Sequence, residues 1–341
     1  MTNSVKRIKP AKLEPGMTIG VIAPAGANKD LSLLDRGVAK LEKLGYRVKL
    51  GRHTRSRIGY LAADDKSRLG DLHALFADRK VDAIMCSRGG YGTMRLLPEM
   101  DFELIRKNPK IFIGFSDITA LGLAFLKKVG LVTFNGPMVV STFGKEKVSP
   151  FSVSCFLRTV TSAKPAGSVW QGHRDRKFRV VTAGKGSGIL TGGNLSLVAS
   201  TVGTPYEVET KGKIVFLEDV DETPYRIDRY LTQLMLAGKL RDARAIVFGR
   251  NVPDAESAII EKKLARKGLP KVATGFPRDA NRSYEQVTDE VIVDRLKPLG
   301  IPVLIGLPFG HISEYATIPL GVRASVDTKS GDLVIEEGAV V

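Results

Sequence analysis

From residue 17 to about residue 140, short apolar runs alternate with stretches of helical period. That alternation confines the first half of the chain to an α/β architecture with a parallel sheet covered on both faces. The strands read as Thr18 to Ala23, Tyr46 to Leu50, Ala83 to Cys86, Ile111 to Phe115 and Leu131 to Phe134. Between them the spacing predicts helices near Leu31 to Leu44, Asp64 to Ala77, Phe102 to Lys107 and Ile118 to Val129. Open sheets of this kind bind ligands at the carboxyl ends of their strands. In this chain those ends collect Pro24-Ala25-Gly26, Ser87-Arg88-Gly89-Gly90-Tyr91-Gly92 and Ser116-Asp117.

The third of these turns carries the most chemical information. Ile111 to Phe115 runs straight into Ser116 and then into a helix, which places a serine hydroxyl beside helix-terminal N–H groups able to stabilise an oxyanion. A plain helix N-cap is the alternative for Ser116, since the turn lacks the second glycine of G-x-S-x-G. The Gly-rich turn after Cys86 has neither G-x-G-x-x-G spacing nor a Walker lysine. It can offer one N–H to an oxyanion, or serve simply as a tight turn at positive φ.

Past residue 150 the texture changes. Gly144 to about Gly188 reads as a connection holding Lys164-Pro165-Ala166-Gly167 and the basic cluster Arg174 to Arg179. Shorter strands with Gly and Pro punctuation follow at Lys213 to Leu217, Ala245 to Gly249, Val303 to Ile305 and Val322 to Asp327, with a helix at Arg226 to Ala237. The expected division is an α/β domain over 1–150, a linker over 151–188 and a mixed, β-rich domain over 189–341.

Composition narrows the function classes. The 341 residues carry a net charge of +16, of which +12 falls on residues 1–150 with 26 Lys+Arg against 14 Asp+Glu. The basic residues are scattered among acids, without a Lys/Arg-rich run, zinc motif or aromatic RNA-binding signature, so attraction for acidic ligands is favoured over nucleic acid. The longest uncharged run, Gly186 to Tyr206, is too rich in Gly, Ser, Thr and Pro to cross a bilayer. Lys6, Arg7, Lys9 and Lys12 before an apolar run imitate a signal peptide, but Glu14-Pro15-Gly16 interrupts the imitation, and a cytoplasmic protein is inferred. Cys86 and Cys155 cannot make a disulfide framework.

A nucleophilic serine needs a base and a group to orient it. Of the four histidines, His53 lies in a basic stretch, His73 on a helix, and His173 in the expected linker. His311 follows the turn Leu307-Pro308-Phe309-Gly310 after an apolar strand, a position that can present an imidazole into a cleft, with surface solvation as the alternative. Glu218 ends the apolar run Ile214 to Leu217 and can accept the histidine N–H. The acids around it, through Glu222, can instead form a solvated loop or a metal site, although no histidine stands at ligand spacing from them.

Together these segments resemble the LD-carboxypeptidases, serine peptidases of family S66 that include muropeptide-recycling enzymes and microcin C immunity proteins. The matching stretches are Ser87 to Gly92, Gly114 to Asp117, Asn135-Gly136-Pro137-Met138, Leu190-Thr191-Gly192-Gly193-Asn194-Leu195, Phe216 to Asp219, and Gly306 to His311. The resemblance implies Ser116 as nucleophile, His311 as general base, Glu218 as its orienting acid, and the N–H groups of Gly90 and Asp117 as oxyanion hole. It further implies a flavodoxin-like N-terminal domain, a swivelling β-rich C-terminal domain, a homodimer, and hydrolysis without metal or organic cofactor. The implied reaction releases the terminal D-alanine of a murein tetrapeptide.

Arg88, Tyr91 and Trp170 are the candidate substrate contacts, Arg88 for a terminal carboxylate and Trp170 for stacking on a purine base, with packing as the alternative for the tryptophan. Two other functions stand beside the carboxypeptidase. One is hydrolysis of peptidyl or aminoacyl-nucleotide conjugates; the other is a non-catalytic flavodoxin-like binding protein.

Overall fold

A computed structural model describes residues 5–250 and 284–341. The alternating first half forms five parallel strands, β1 (Thr18–Ile22), β2 (Arg47–Leu50), β3 (Ala83–Cys86), β4 (Ile111–Ile113) and β5 (Thr133–Asn135). Their spatial order 2-1-3-4-5 is the flavodoxin-like one. Helices α1 (Leu31–Lys43), α2 (Asp65–Ala77), α3 (Phe102–Lys107) and α4 (Thr119–Val129) follow the strands in turn. Asp30, Asp64 and Asp101 cap the first three through their carboxylates, which satisfies N–H groups that the helix itself leaves unpaired. Because the central strands are covered on both faces, they are apolar throughout, as in the fully buried Ala83–Cys86.

Strand β4 stops at Ile113, two residues short of the run that the sequence suggests. Gly114 still donates its N–H to the Phe134 carbonyl of β5 at 3.0 Å, but Phe115 lies in the turn before Ser116, so its apolar character reflects burial and not strand pairing.

The second sheet holds β6 (Gly167–Ser168), β7 (Arg179–Thr182), β8 (Lys185–Asn194), β9 (Ile214–Glu218), β10 (Ala245–Gly249) and β11 (Val303–Leu307). After these, β12 (Ile318–Leu320) returns to the first sheet and pairs antiparallel with β5, while β13 (Arg323–Asp327) and β14 (Asp332–Ile335) complete the second. The second half is β-rich, but its centre β8-β9-β10-β11 is parallel. Helix α6 (Leu195–Ser200) follows β8 and helix α7 (Pro224–Leu236) follows β9.

The expected connection is not a plain linker: it holds α5 (Pro150–Val160), the short strands β6 and β7 and the start of β8, none of which the sequence pattern marks. Between the halves runs α5, started by Pro150 after Ser149 and holding Phe151, Cys155 and Phe156 in the core. Strand β8 hides behind its glycines: Gly188 has no side chain because a Cβ there would stand 2.7 Å from the Gly212 carbonyl. One apolar cluster is continuous from Val21, Met85 and Ile113 of the first sheet to Leu190, Phe216 and Val247 of the second, so the two sheets share a core. Among the described residues no helix is long and apolar enough to cross a membrane.

Candidate active site

The turn after β4 is strained at one residue. Gly114 is required where a Cβ would meet Ile118 at 2.8 Å. Ser116 then takes φ 65°, one of two positive-φ non-glycine residues among those described. A serine held left-handed costs about 1–2 kcal/mol and persists only where the surroundings impose it. Ser116 caps neither the short 3-10 turn Ser116–Ile118 nor α4, so its half-buried hydroxyl is not used for capping. The N-cap alternative is therefore set aside. Gly89 faces that hydroxyl so closely that a Cβ on it would lie 2.9 Å from Ser116 Oγ and 3.4 Å from the Asp117 nitrogen. Only a glycine loop can approach the serine in this way.

The glycine loop is tied down from two sides. Gly90 and Gly92 adopt φ 120° and 124°, which L side chains rarely take. The Asp117 carboxylate accepts the Thr93 N–H at 2.9 Å, and the Thr93 hydroxyl donates to the Asp117 carbonyl at 2.5 Å. Burial pushes the Asp117 carboxyl upward against these bonds. From below, the buried guanidinium of Arg68 donates to the Pro24, Ala63 and Gly92 carbonyls and to Asp65. Asp117 was expected for its N–H alone. Its side chain and Arg68 were not foreseen, because a single aspartate or arginine carries no sequence signal for a bond made across a fold.

Glu218 ends β9 with its side chain fully buried, and one oxygen lies 2.7 Å from His311 Nδ1. Against a carboxylate that nitrogen carries the proton, leaving Nε2 as the basic atom. The other oxygen, Oε1, is buried and has no hydrogen-bond partner among the described residues. Gly310 makes the approach possible, with φ 104° and a hypothetical Cβ only 3.0 Å from Glu218. The His311 ring stands edge-on to Phe115 with centroids 4.8 Å apart, which brings it alongside the residue preceding Ser116.

Next to Glu218, burial and the neighbouring carboxylate push Asp219 up to about 7. Its oxygens accept N–H groups from Asn194 at 3.0 Å, Ser196 at 2.9 Å and Val220 at 2.9 Å. Asn194 in turn donates its backbone N–H to the Thr119 hydroxyl at 3.0 Å, and Gly193 packs so tightly that a Cβ would meet Thr119 at 2.6 Å. Thr119 is the first residue of α4, three after Ser116. The Gly-Gly-Asn end of β8 thus fastens the acid-bearing sheet to the serine-bearing helix. Neither Asn194 nor Asp219 stood out as a site residue, although the paired glycines were the available sign of a close backbone approach. The other acids of the cluster are dispersed, with Glu222 paired to Arg226, and no group of three metal-ligating side chains gathers among the described residues.

The remaining candidates separate. Arg88 is half-buried and donates to the Ala27 carbonyl at 3.2 Å. Tyr91 is 55% exposed on the glycine loop. Trp170 is only 2% exposed, donates Nε1–H to the Gly331 carbonyl at 2.8 Å, and packs against His173 and Arg176; the structure uses this indole for packing. His53 pairs with Asp71, and His173 packs its ring on Phe151. His73 accepts the Asp101 N–H, and burial lowers its pKa, which keeps it a neutral acceptor. Cys86 is fully buried, its thiol pushed far up by burial and by Asp117, so it is no nucleophile.

Comparison with known proteins matches this arrangement over most of its length. Residues 19–136 match the model of the LD-carboxypeptidase N-terminal domain, and residues 187–326 that of the LD-carboxypeptidase C-terminal domain. A Bacillus subtilis relative described as "Probable murein peptide carboxypeptidase" is 40% identical over 97% of this chain and 95% of its own. The solved muramoyltetrapeptide carboxypeptidase from Oxalobacter formigenes is similar at 32% identity and a TM-score of 0.76, covering 94% of this chain and 99% of that one. The microcin C7 self immunity protein MccF, solved with aspartyl sulfamoyl adenosine, is similar at 25% identity and a TM-score of 0.79, covering 98% of this chain and 100% of that one.

Proposed function

The chain belongs to the LD-carboxypeptidase family and is a hydrolase acting on peptide bonds; from that premise we propose that it is a serine enzyme releasing the terminal D-alanine of murein tetrapeptides. The observation that carries this reading is the pair of fully buried Glu218 and half-buried His311, the imidazole packed on Phe115, the neighbour of a serine held at φ 65°.

His311 Nε2 takes the Ser116 proton while Glu218 holds Nδ1–H and stabilises the imidazolium. The serine oxygen attacks the scissile carbonyl. The N–H groups of Gly90 and Asp117 receive the oxyanion, on a loop already braced by the Asp117 carboxylate and Arg68, so little reorganisation accompanies the step. His311 returns the proton to the departing D-alanine nitrogen, and water then hydrolyses the acyl-enzyme by the same route in reverse. Arg88 is assigned to the terminal carboxylate. Residues 1–150 supply the nucleophile and 189–341 the acid and base, with 151–188 between them, and the enzyme works as a cytoplasmic homodimer in peptidoglycan recycling.

A second reading, hydrolysis of aminoacyl-nucleotide conjugates, draws support from the likeness to the immunity protein with its sulfamoyl adenosine ligand. Trp170 gives that reading no help, because its faces are used in packing. Incubation of the purified chain with a murein tetrapeptide, its carboxyl-amidated form and an aminoacyl-adenylate analogue, followed by mass spectrometry, separates the two. The carboxypeptidase reading expects D-alanine from the free acid. It also expects the amidated peptide to be roughly ten- to a hundredfold poorer, for the loss of a charge-assisted contact worth about 1.5–3 kcal/mol. Equal rates on the free and amidated ends contradict it.

A further inference from the structure

Three large apolar side chains are exposed on the glycine loop and the turn bonded beside it: Tyr91 at 55% on the first, Ile58 at 56% and Tyr60 at 65% on the second. The two tyrosine rings meet edge-to-face at 5.7 Å and 66°. The turn that presents Tyr60 is tight. Ile58 N–H donates to the Leu61 carbonyl at 2.8 Å and Leu61 N–H returns to Ile58 at 3.0 Å, with Gly59 at φ 59°. Leu61 is buried beneath the turn and bridges to Gly26. Gly26 N–H donates to the Gly89 carbonyl at 3.2 Å, and Ala27 N–H donates to the Tyr60 carbonyl at 3.1 Å. The tyrosine turn, the first-strand loop and the loop facing Ser116 are therefore one hydrogen-bonded unit. Such a patch is costly to leave in water and marks a binding surface.

We propose that Ile58, Tyr60 and Tyr91 form a platform for the saccharide end of a glycan-bearing peptide substrate. The proposal rests on the murein reading, and the solved relative named for a muramoyltetrapeptide acts, by that name, on a peptide carrying such a sugar. Reach agrees. With the scissile carbonyl at Ser116, three acyl-side residues extend about 10 Å. Tyr91 lies two residues beyond Gly89, which touches Ser116, or at most about 7 Å of chain before its side chain begins. The chemistry agrees as well. A tyrosine offers an apolar face and a polar tip, which matches a pyranose with its C–H face and hydroxyl edge. The two rings do not form a parallel slot for a planar base, since they stand at 66° to each other.

The test uses the full chain with Ser116→Ala, so that binding is read without turnover. Calorimetry gives Kd for muramoyl-tetrapeptide and for free tetrapeptide in this parent and with Tyr60→Ala, Tyr91→Ala or Tyr60→Phe added. The parent is expected to favour the muramoyl form by about threefold to tenfold, the scale of an aromatic contact. That ratio should fall toward one in both alanine variants and persist in Tyr60→Phe, which keeps the ring. An absent preference in the parent, a ratio unchanged in both alanine variants, or equal weakening of both ligands overturns the platform. Turnover of free tetrapeptide by the unmodified chain reports separately on the carboxypeptidase reading, so failure of one does not imitate failure of the other.

Discussion

At the scale of single residues, the account rests on side chains held where the backbone would not place them unaided. Ser116 at φ 65° carries a Cβ that the left-handed region disfavours. Removing the hydroxyl and removing the Cβ are therefore different experiments. Ser116→Ala and Ser116→Gly should both abolish hydrolysis, but the glycine variant should be the more stable by about 1 kcal/mol in a urea titration. An alanine variant as stable as the glycine one would mean that the turn stores no strain. Gly310 makes the complementary case, at φ 104° and against Glu218. Gly310→Ala should cost about 1–3 kcal/mol of stability and displace His311, reducing kcat far more than it changes KM. His311→Ala should be nearly as damaging as Ser116→Ala, and the double variant little worse than either, because members of such a unit do not act additively.

At the scale of elements, the join between β8 and α4 depends on Asp219. Its carboxyl is held up near 7 in the folded chain, against an ordinary value of 3.8. The native state thus binds this proton more tightly than the unfolded state does, and the stability it contributes is present at low pH and lost as the pH rises from about 4 through about 7. Asp219→Asn cannot titrate, so the fall in urea midpoint between pH 5 and pH 8 should be shallower than in the parent. Identical slopes would remove Asp219 as the source. Activity should move the other way on acidification, since His311 must be neutral to accept the serine proton.

The same elements show what the sequence made legible. Ala83–Cys86, Phe102–Lys107 and Ala245–Gly249 fall where apolar runs and caps place them. The sequence pattern does not mark Lys185–Asn194 as a strand, because its glycines serve neighbouring backbones and erase the alternation that marks one. Ser116 and Glu218 are legible because each directly follows an apolar run, and His311 because it follows the turn that ends one. Arg68, Asn194 and Asp219 are not, because their roles consist of bonds to segments far away in sequence.

At the scale of the whole molecule, the two sheets are mutually dependent. Strand β12 comes from the end of the chain, yet it pairs with β5 and closes the first sheet, while the core runs unbroken between the sheets. A fragment of residues 1–150 loses β12 and bares the β5 edge. It should unfold with low cooperativity and show no hydrolysis, whereas a fragment as active as the full chain would contradict a site shared between the halves. The Glu218–His311 and Ser116 sides of the site come from different sheets, so their meeting is the central claim. The most direct measurement is mass spectrometry of murein tetrapeptide incubated with the full chain and with Ser116→Ala, alongside calorimetry showing that the variant still binds the peptide. The account predicts release of D-alanine by the former and binding without release by the latter; D-alanine released by Ser116→Ala at the parent rate would contradict it.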